Sequence, residues 1–263
     1  MKTTYRIIFA IMATCIMASP VFANWTQRQK ITSTPRGVGA QHGNAVAING
    51  NTMVVGARFD STTASQAGAA FVYVLNGGTW TQQAVLLAPD GAALDKFGES
   101  VAISGNTIVV GAYQDDTGFT NGGSAYVYVR IGTTWTFQQK LTPVLMAAND
   151  EFGNAVGITG DSIIVGSHFA DLPPNSDAGA AYVFQRSGTT WTELQKLTPS
   201  PGPGAPIGGN NFGESVAMNG GRAVIGASGD NTPNTAAGAV YVFTESGGLY
   251  GVQQKLTIVN GSN

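Results

Sequence analysis

Aspartates recur along this chain at Asp60, Asp115, Asp171 and Asp230, and Asp116, Asn121, Asn175 and Asp177 add side-chain oxygens close by. On loops such groups can hold a cation or a polar ligand, or turn back to bond the local backbone. Their recurrence favours the backbone role, because a structural role repeats with the fold. Asp171, Asn175 and Asp177 come nearest to a Ca2+ set, yet Pro173 and Pro174 stand inside that loop and match no standard cage. His42 and His168 are the two histidines, and neither stands at a metal-ligand spacing. There is no Gly-x-Ser-x-Gly elbow and no phosphate loop. His168 with Asp171 is too little to make a general base. These residues point away from catalysis and from a bound cofactor or metal. Asp60, Asp115, Asp116, Asp171, Asp177 and Asp230 remain as candidates on a ligand-binding surface.

The start of the chain reads as a cleavable export signal. Lys2 and Arg6 precede a mostly apolar run over 7–18, and Val21-Phe22-Ala23 places small residues at a cleavage site. The run is too short for a membrane span. The expected domains are a signal peptide, 1–23, and one domain, 24–263, in a secreted, periplasmic or cell-surface protein. The single cysteine, Cys15, lies in the leader, so the remainder carries neither disulfide nor thiol chemistry. Without Lys2 and Arg6, 11 basic residues face 15 acidic ones. That balance argues against nucleic acid or an anionic membrane as partner.

The elements that must position these residues are legible as a repeat. Gly43, Gly98, Gly153 and Gly213 stand 55, 55 and 60 residues apart. Phe97, Phe152 and Phe212 precede the last three of them, and His42 precedes the first. Such a period means one supersecondary unit copied along the chain. Each copy reads as four strands. The first ends in a Gly-Asn or Gly-Asp type turn, such as Gly105-Asn106. The second, such as 108–112, is apolar on both sides and so buried on both faces. The third alternates aromatic residues with Val, as in Tyr126-Val127-Tyr128. The fourth carries Trp80, Trp135 or Trp191, with Tyr250 in the last copy. Simple alternation places Trp135, Phe137, Gln139 and Leu141 on one face. Gln29, Gln139, Gln195 and Gln254 then recur on the Trp face, where a buried amide must bond backbone. A further Trp strand over 25–31 precedes the first copy, so seventeen strands are expected.

Phe-Gly opening one strand, Gly-Ala ending the next and Ala-Tyr-Val-Tyr in the third resemble the FG-GAP repeat of integrin α chains and many bacterial secreted proteins. The resemblance implies an all-β fold, a β-propeller of about four four-stranded antiparallel blades, with the extra N-terminal strand left to cap or latch an edge. It also implies a binding or adhesion role. The family's Ca2+ loops do not carry over, because the corresponding turns here, such as Ser104-Gly105-Asn106, cannot supply six or more oxygens.

In such blades the turns between strands one and two, and three and four, share one face. Here they are short. The long connections, such as 58–67, 113–122 and 168–178, share the other face. Binding residues gather on loops held by a rigid scaffold, so the long-loop face is the expected surface for a protein or glycan ligand. Two alternatives stand beside it: a secreted hydrolase or lyase with its site at the propeller axis, and an assembly module that pairs through a free strand edge.

Overall fold

The computed structural model describes residues 29–32, 39–199, 208–231 and 237–257. The chain divides into two units, Met1–Lys30 and Ile31–Asn263, and every strand below belongs to the second. Residues 1–23, expected as a signal peptide, most of the strand expected over 25–31, the Pro-Gly stretch 200–207 and loop residues 232–236 lie outside the described residues. Of that first Trp strand, residues 29–31 are described and are not in a strand.

Sixteen strands form four antiparallel sheets among the described residues. Blade 1 holds β1 (Val46–Asn49), β2 (Thr52–Ala57), β3 (Ala69–Asn76) and β4 (Thr79–Leu86). Blade 2 holds β5 (Ser100–Ser104), β6 (Thr107–Ala112), β7 (Ser124–Ile131) and β8 (Thr134–Leu141). Blade 3 holds β9 (Val156–Thr159), β10 (Ser162–Ser167), β11 (Ala180–Ser187) and β12 (Thr190–Leu197). Blade 4 holds β13 (Phe212–Asn219), β14 (Arg222–Ala227), β15 (Ala239–Ser246) and β16 (Leu249–Thr257). Strands pair in chain order in every sheet, and the first strand of each blade packs against the first strand of the next. This is the all-β propeller arrangement.

The core lies between blades. One apolar cluster joins Val54, Val72 and Leu86 of blade 1 to Val101, Ile108, Tyr126 and Trp135 of blade 2. A second joins Val109, Val127 and Leu141 to Val156, Ile163, Tyr182 and Trp191. A third joins Ile164, Val183 and Leu197 to Ile225, Tyr241 and Tyr250. The fourth, around Val55, Phe71 and Tyr73, is built on blade 1 alone, with Ala40 and Ile31 against it. Blades 2 and 3 thus each have a front face that meets the preceding blade and a back face that meets the next. This explains why the second strands are apolar on both sides.

The outer strand does not alternate as simple period two requires. The register slips between Val127 and Tyr128, so Gln138 is an extra residue opposite that step. The same bulge occurs in the other three blades. A bulge inverts the faces beyond it. Trp135 therefore joins the cluster with blade 1 and Leu141 the cluster with blade 3, and Phe137 is left exposed. The bulged glutamines reach the next blade: Trp135 Nε1 donates to Gln83 Oε1, and Trp191 Nε1 to Gln138 Oε1, both at 2.9 Å.

The Phe-Gly pair is the joint between blades. Phe97 packs edge-on against Tyr126 and Tyr128, as Phe152 and Phe212 do against their own aromatic pairs. Gly98, Gly153 and Gly213 hold φ of 91, 96 and 97°, which favours glycine. The backbone approach is tight: a Cβ on Gly111 would overlap the Gly153 carbonyl oxygen, and one on Gly56 or Gly166 would overlap that of Gly98 or Gly213. In blade 1 His42 replaces Phe, packs edge-on against Phe71 and reaches Tyr73 Oη at 3.0 Å.

Candidate functional site

The long connections rise from one face, each beginning just after a blade's second strand. The register fixes which residues are equivalent. Gly68, Gly123, Gly179 and Gly238 donate to the carbonyls of Asp60, Asp115, Ala170 and Asp230. Asp171 is therefore not the counterpart of Asp60, Asp115 and Asp230, as its recurrence in the sequence suggests; Ala170 holds that place. Asp60, Asp115 and Asp230 are buried, and Asp171 is exposed.

These aspartates serve different contacts. Asp60 Oδ1 accepts from the Thr62 amide at 2.9 Å, and Asp115 Oδ1 from the Thr117 amide at 2.8 Å. Asp116 Oδ1 accepts from the Asn121 amide at 2.8 Å, and Asp171 Oδ1 from the Asp177 amide at 3.0 Å, each closing its loop. Asp115 also receives Lys140 Nζ at 2.8 Å and the Tyr126 hydroxyl, and Lys140 reaches Asp90 at 2.7 Å. Burial pushes the Asp115 carboxyl up, but its bonds to Lys140, Thr117 and Tyr126 outweigh that and hold it below the ordinary range. Blade 4 repeats the set, with Lys255 and the Tyr241 hydroxyl on Asp230 at 2.8 and 2.7 Å. Blade 3 breaks it. With Ala170 in place of the acid, the buried Tyr182 hydroxyl has no hydrogen-bond partner among the described residues.

A second polar row crosses the blades where their inner strands begin. Its members directly follow each second strand (Arg58, Tyr113, His168, Ser228) or directly precede or follow the Phe-Gly joint (Gln41, Glu99, Glu151, Glu214). Arg58 donates Nε to Gln41 at 2.7 Å and Nη1 to both Glu99 oxygens at 3.0 and 3.1 Å. His168 Nε2 lies 3.5 Å from Glu151, and the Ser228 hydroxyl donates to Glu214. Burial, then the Glu99 charge, pushes the Glu151 carboxyl up to about 7. Burial holds His168 below its ordinary value. Burial and the charges of Glu99 and Glu151 raise the Tyr113 hydroxyl. Both shifts favour the neutral forms, so burial works against a full ion pair between Glu151 and His168.

Sequence reading did not single out this row. Its residues differ in type from blade to blade, so recurrence does not mark them; the available signal is positional, the residue after each Gly-Ala or Gly-Ser. Among the described residues, no group of three or more His, Cys, Asp or Glu side chains could hold a metal. None of their helices is long and apolar enough to cross a membrane.

The loops of blade 2 combine rigidity with exposed apolar side chains. Loop 113–122 is bonded to loop 142–151 by the Asn149 amide on the Thr120 carbonyl at 2.8 Å and the Glu151 amide on the Asn121 carbonyl at 3.1 Å. Met146 packs onto Gly122. Phe119, Val144 and Leu145 nonetheless stand exposed on these two loops.

Comparison with known proteins agrees with this architecture. The family described as FG-GAP repeat matches at residues 25–73, 80–128, 135–184 and 191–243. The chain belongs to the FG-GAP repeat family. The last three FG-GAP matches each begin at the aromatic residue of an outer strand, Trp80, Trp135 or Trp191, and end within the third strand of the next blade, while the first begins at Trp25, outside the described residues, and ends within β3. A crystal structure of a protein from Lactobacillus plantarum is similar in fold, with a TM-score of 0.52 at 13% identity over 84% of this chain. This FG-GAP chain spans 57% of that protein's length. No curated protein matches it.

Proposed function

We propose that this chain is an exported binding module whose long-loop face engages a protein or glycan ligand. The observation that carries the reading is the bolted loop pair of blade 2, which leaves Phe119, Val144 and Leu145 in solvent. Exposed apolar groups on a fixed frame mark interaction surfaces, and aliphatic ones favour a protein ligand. The polar row from Arg58 to Glu214 lies among the same set of loops and offers charge for orientation. Export rests on the basic, apolar and small-residue pattern of 1–23. Shortening loop 113–122 by replacing residues 118–121 with a two-residue turn, which keeps the buried Asp115 and its bonds to Thr117, Tyr126 and Lys140, and repeating a pull-down from culture and envelope extracts tests the reading. Partners recovered by the wild type and lost by the shortened form support it. Equal recovery by both forms contradicts it.

One observation favours a second reading, a hydrolase or lyase. Glu151, pushed up to about 7 beside His168, has the poise of a general acid or base. Turnover of a polysaccharide or ester panel that Glu151→Gln abolishes would establish it. No turnover across the panel would leave the binding reading alone.

A further inference from the structure

The two ends of the blade series carry the two halves of an interface that the chain already builds three times. On the back faces of blades 1 to 3, Val54, Val109 and Ile164 are 0% exposed, and Leu86, Leu141 and Leu197 are 3% or less. Their counterparts in blade 4 are Val224, 37% exposed, and Leu256, 45% exposed. Gly56, Gly111 and Gly166 each pack on the carbonyl of the next joint glycine, whereas Gly226 faces only Ser215 of its own blade. Ser215 Oγ stands over Gly226 as Ser100 Oγ stands over Gly111, and Ser100 donates to the Gly153 carbonyl at 2.8 Å. A groove of about 420 Å3 runs over this surface, lined by Ser215, Gly226, Gly238, Val240 and Leu256.

Blade 1 presents the opposite half. Val46 and Ile48 are 67% and 63% exposed, while Val101 and Ile103 at the same places in blade 2 are each 8%. Gly43 already has the joint conformation, with φ of 100° and its amide on the Gly56 carbonyl at 2.9 Å. Nothing lies within 4 Å of where its Cβ would be.

We infer that the back face of blade 4 docks the front face of blade 1 of a second copy of this chain, head to tail. The contact continues the interface seen between blades 1 and 2, 2 and 3, and 3 and 4. Gly43 of the second copy seats on Gly226, and its Val46 and Ile48 cover Ser215 and Val224. Ile31 packs on the blade 1 cluster where Leu86 packs on blade 2, so docking of Leu256 displaces it. The inner-strand contact needs no displacement. Two such contacts close a two-fold pair; a single one leaves both ends open for further copies. The surface is a blade face, and it is separate from the long-loop face proposed for the ligand.

Light scattering on the purified protein tests the inference, with Ile48→Glu blocking the front face and Val224→Glu blocking the back. Both residues are exposed in the single chain, so both variants keep the wild-type circular dichroism, and the thermal melt that the wild type shows at concentrations where it is monomeric. The wild type is expected at twice the chain mass or more, and each variant alone at the chain mass. Mixed one to one, the variants are expected to give a species of twice the chain mass, because each retains the half the other lacks. A monomeric wild type would overturn the inference. So would a wild-type oligomer that either variant leaves intact, or a mixture that stays monomeric.

Discussion

The Gln139 side chain holds the backbone of Trp191 on both sides, accepting from its amide and donating to its carbonyl, each at 2.7 Å. Gln195 holds Tyr250 in the same way, each bond at 2.8 Å. These amides join the outer strands of successive blades, where apolar packing is thinnest. Replacing Gln139 with Leu leaves two half-buried backbone groups without partners and is expected to lower stability by roughly 1–3 kcal/mol. Gln254→Leu, made at the exposed end of the series, is expected to leave the unfolding of the single chain unchanged. Urea unfolding at low protein concentration checks both.

The joint glycines give a sharper contrast. Gly111→Ala drives a methyl group into the Gly153 carbonyl oxygen, backbone against backbone, and should prevent blades 2 and 3 from closing. Gly226→Ala meets only the Ser215 hydroxyl, which can rotate away. The first variant is expected to lose several kcal/mol or fail to fold, and the second less than about 1 kcal/mol. Thermal melts of the pair measure the difference.

Tyr241 and Tyr182 are equivalent residues in different surroundings. Tyr241→Phe removes a hydroxyl that donates to Asp230, and should cost about 1 kcal/mol or more because a buried carboxylate loses a donor. Tyr182→Phe removes a buried hydroxyl that has no partner among the described residues, so it should be neutral or stabilising. Equal losses in denaturant titrations of the two would contradict the assignment of Ala170 to the Asp230 position.

The repeat made the blade count, the turn chemistry and the two-sided burial of the second strands readable, since each is a local pattern copied four times. Two features were not readable for physical reasons. The bulge at Gln138 changes the face of Leu141 relative to Trp135, and alternation counted along one strand cannot reveal a slip in its pairing. Asp171 looked equivalent to Asp115 by type, yet hydrogen-bond register, not residue type, assigns that place to Ala170. At the candidate surface, the loops were visible from length and composition. The row of Arg58, Tyr113, His168 and Ser228 was not, because its residues share a position and no chemistry.

Glu151 gives the protein a pH dependence near neutrality. Its folded value, about 7, lies above the ordinary 4.5, so the folded state binds the proton more tightly. The stability this adds is fully present below about pH 4.5 and is lost as pH rises through 7. The span corresponds to roughly 3 kcal/mol at most. His168, held below 6.5 by burial, acts in the opposite sense, destabilising the fold as pH falls below its ordinary value. Glu151→Gln is therefore expected to flatten the fall in melting temperature between pH 5 and 8, and to be more stable than wild type at pH 8. An unchanged slope would show that Glu151 ionises freely.

The central claim is that the long-loop face of blade 2 binds a partner. It is tested most directly by immobilising three proteins and passing the same extract over each by surface plasmon resonance. The three are the wild type, a loop variant with Phe119→Ser, Val144→Ser and Leu145→Ser, and a control on the opposite face with Ile131→Ser and Leu249→Ser. All five substituted residues are exposed, so the three proteins share one fold. Binding retained by the wild type and the control and lost by the loop variant is the predicted result. Retention by the loop variant, or loss only in the control, would contradict the account.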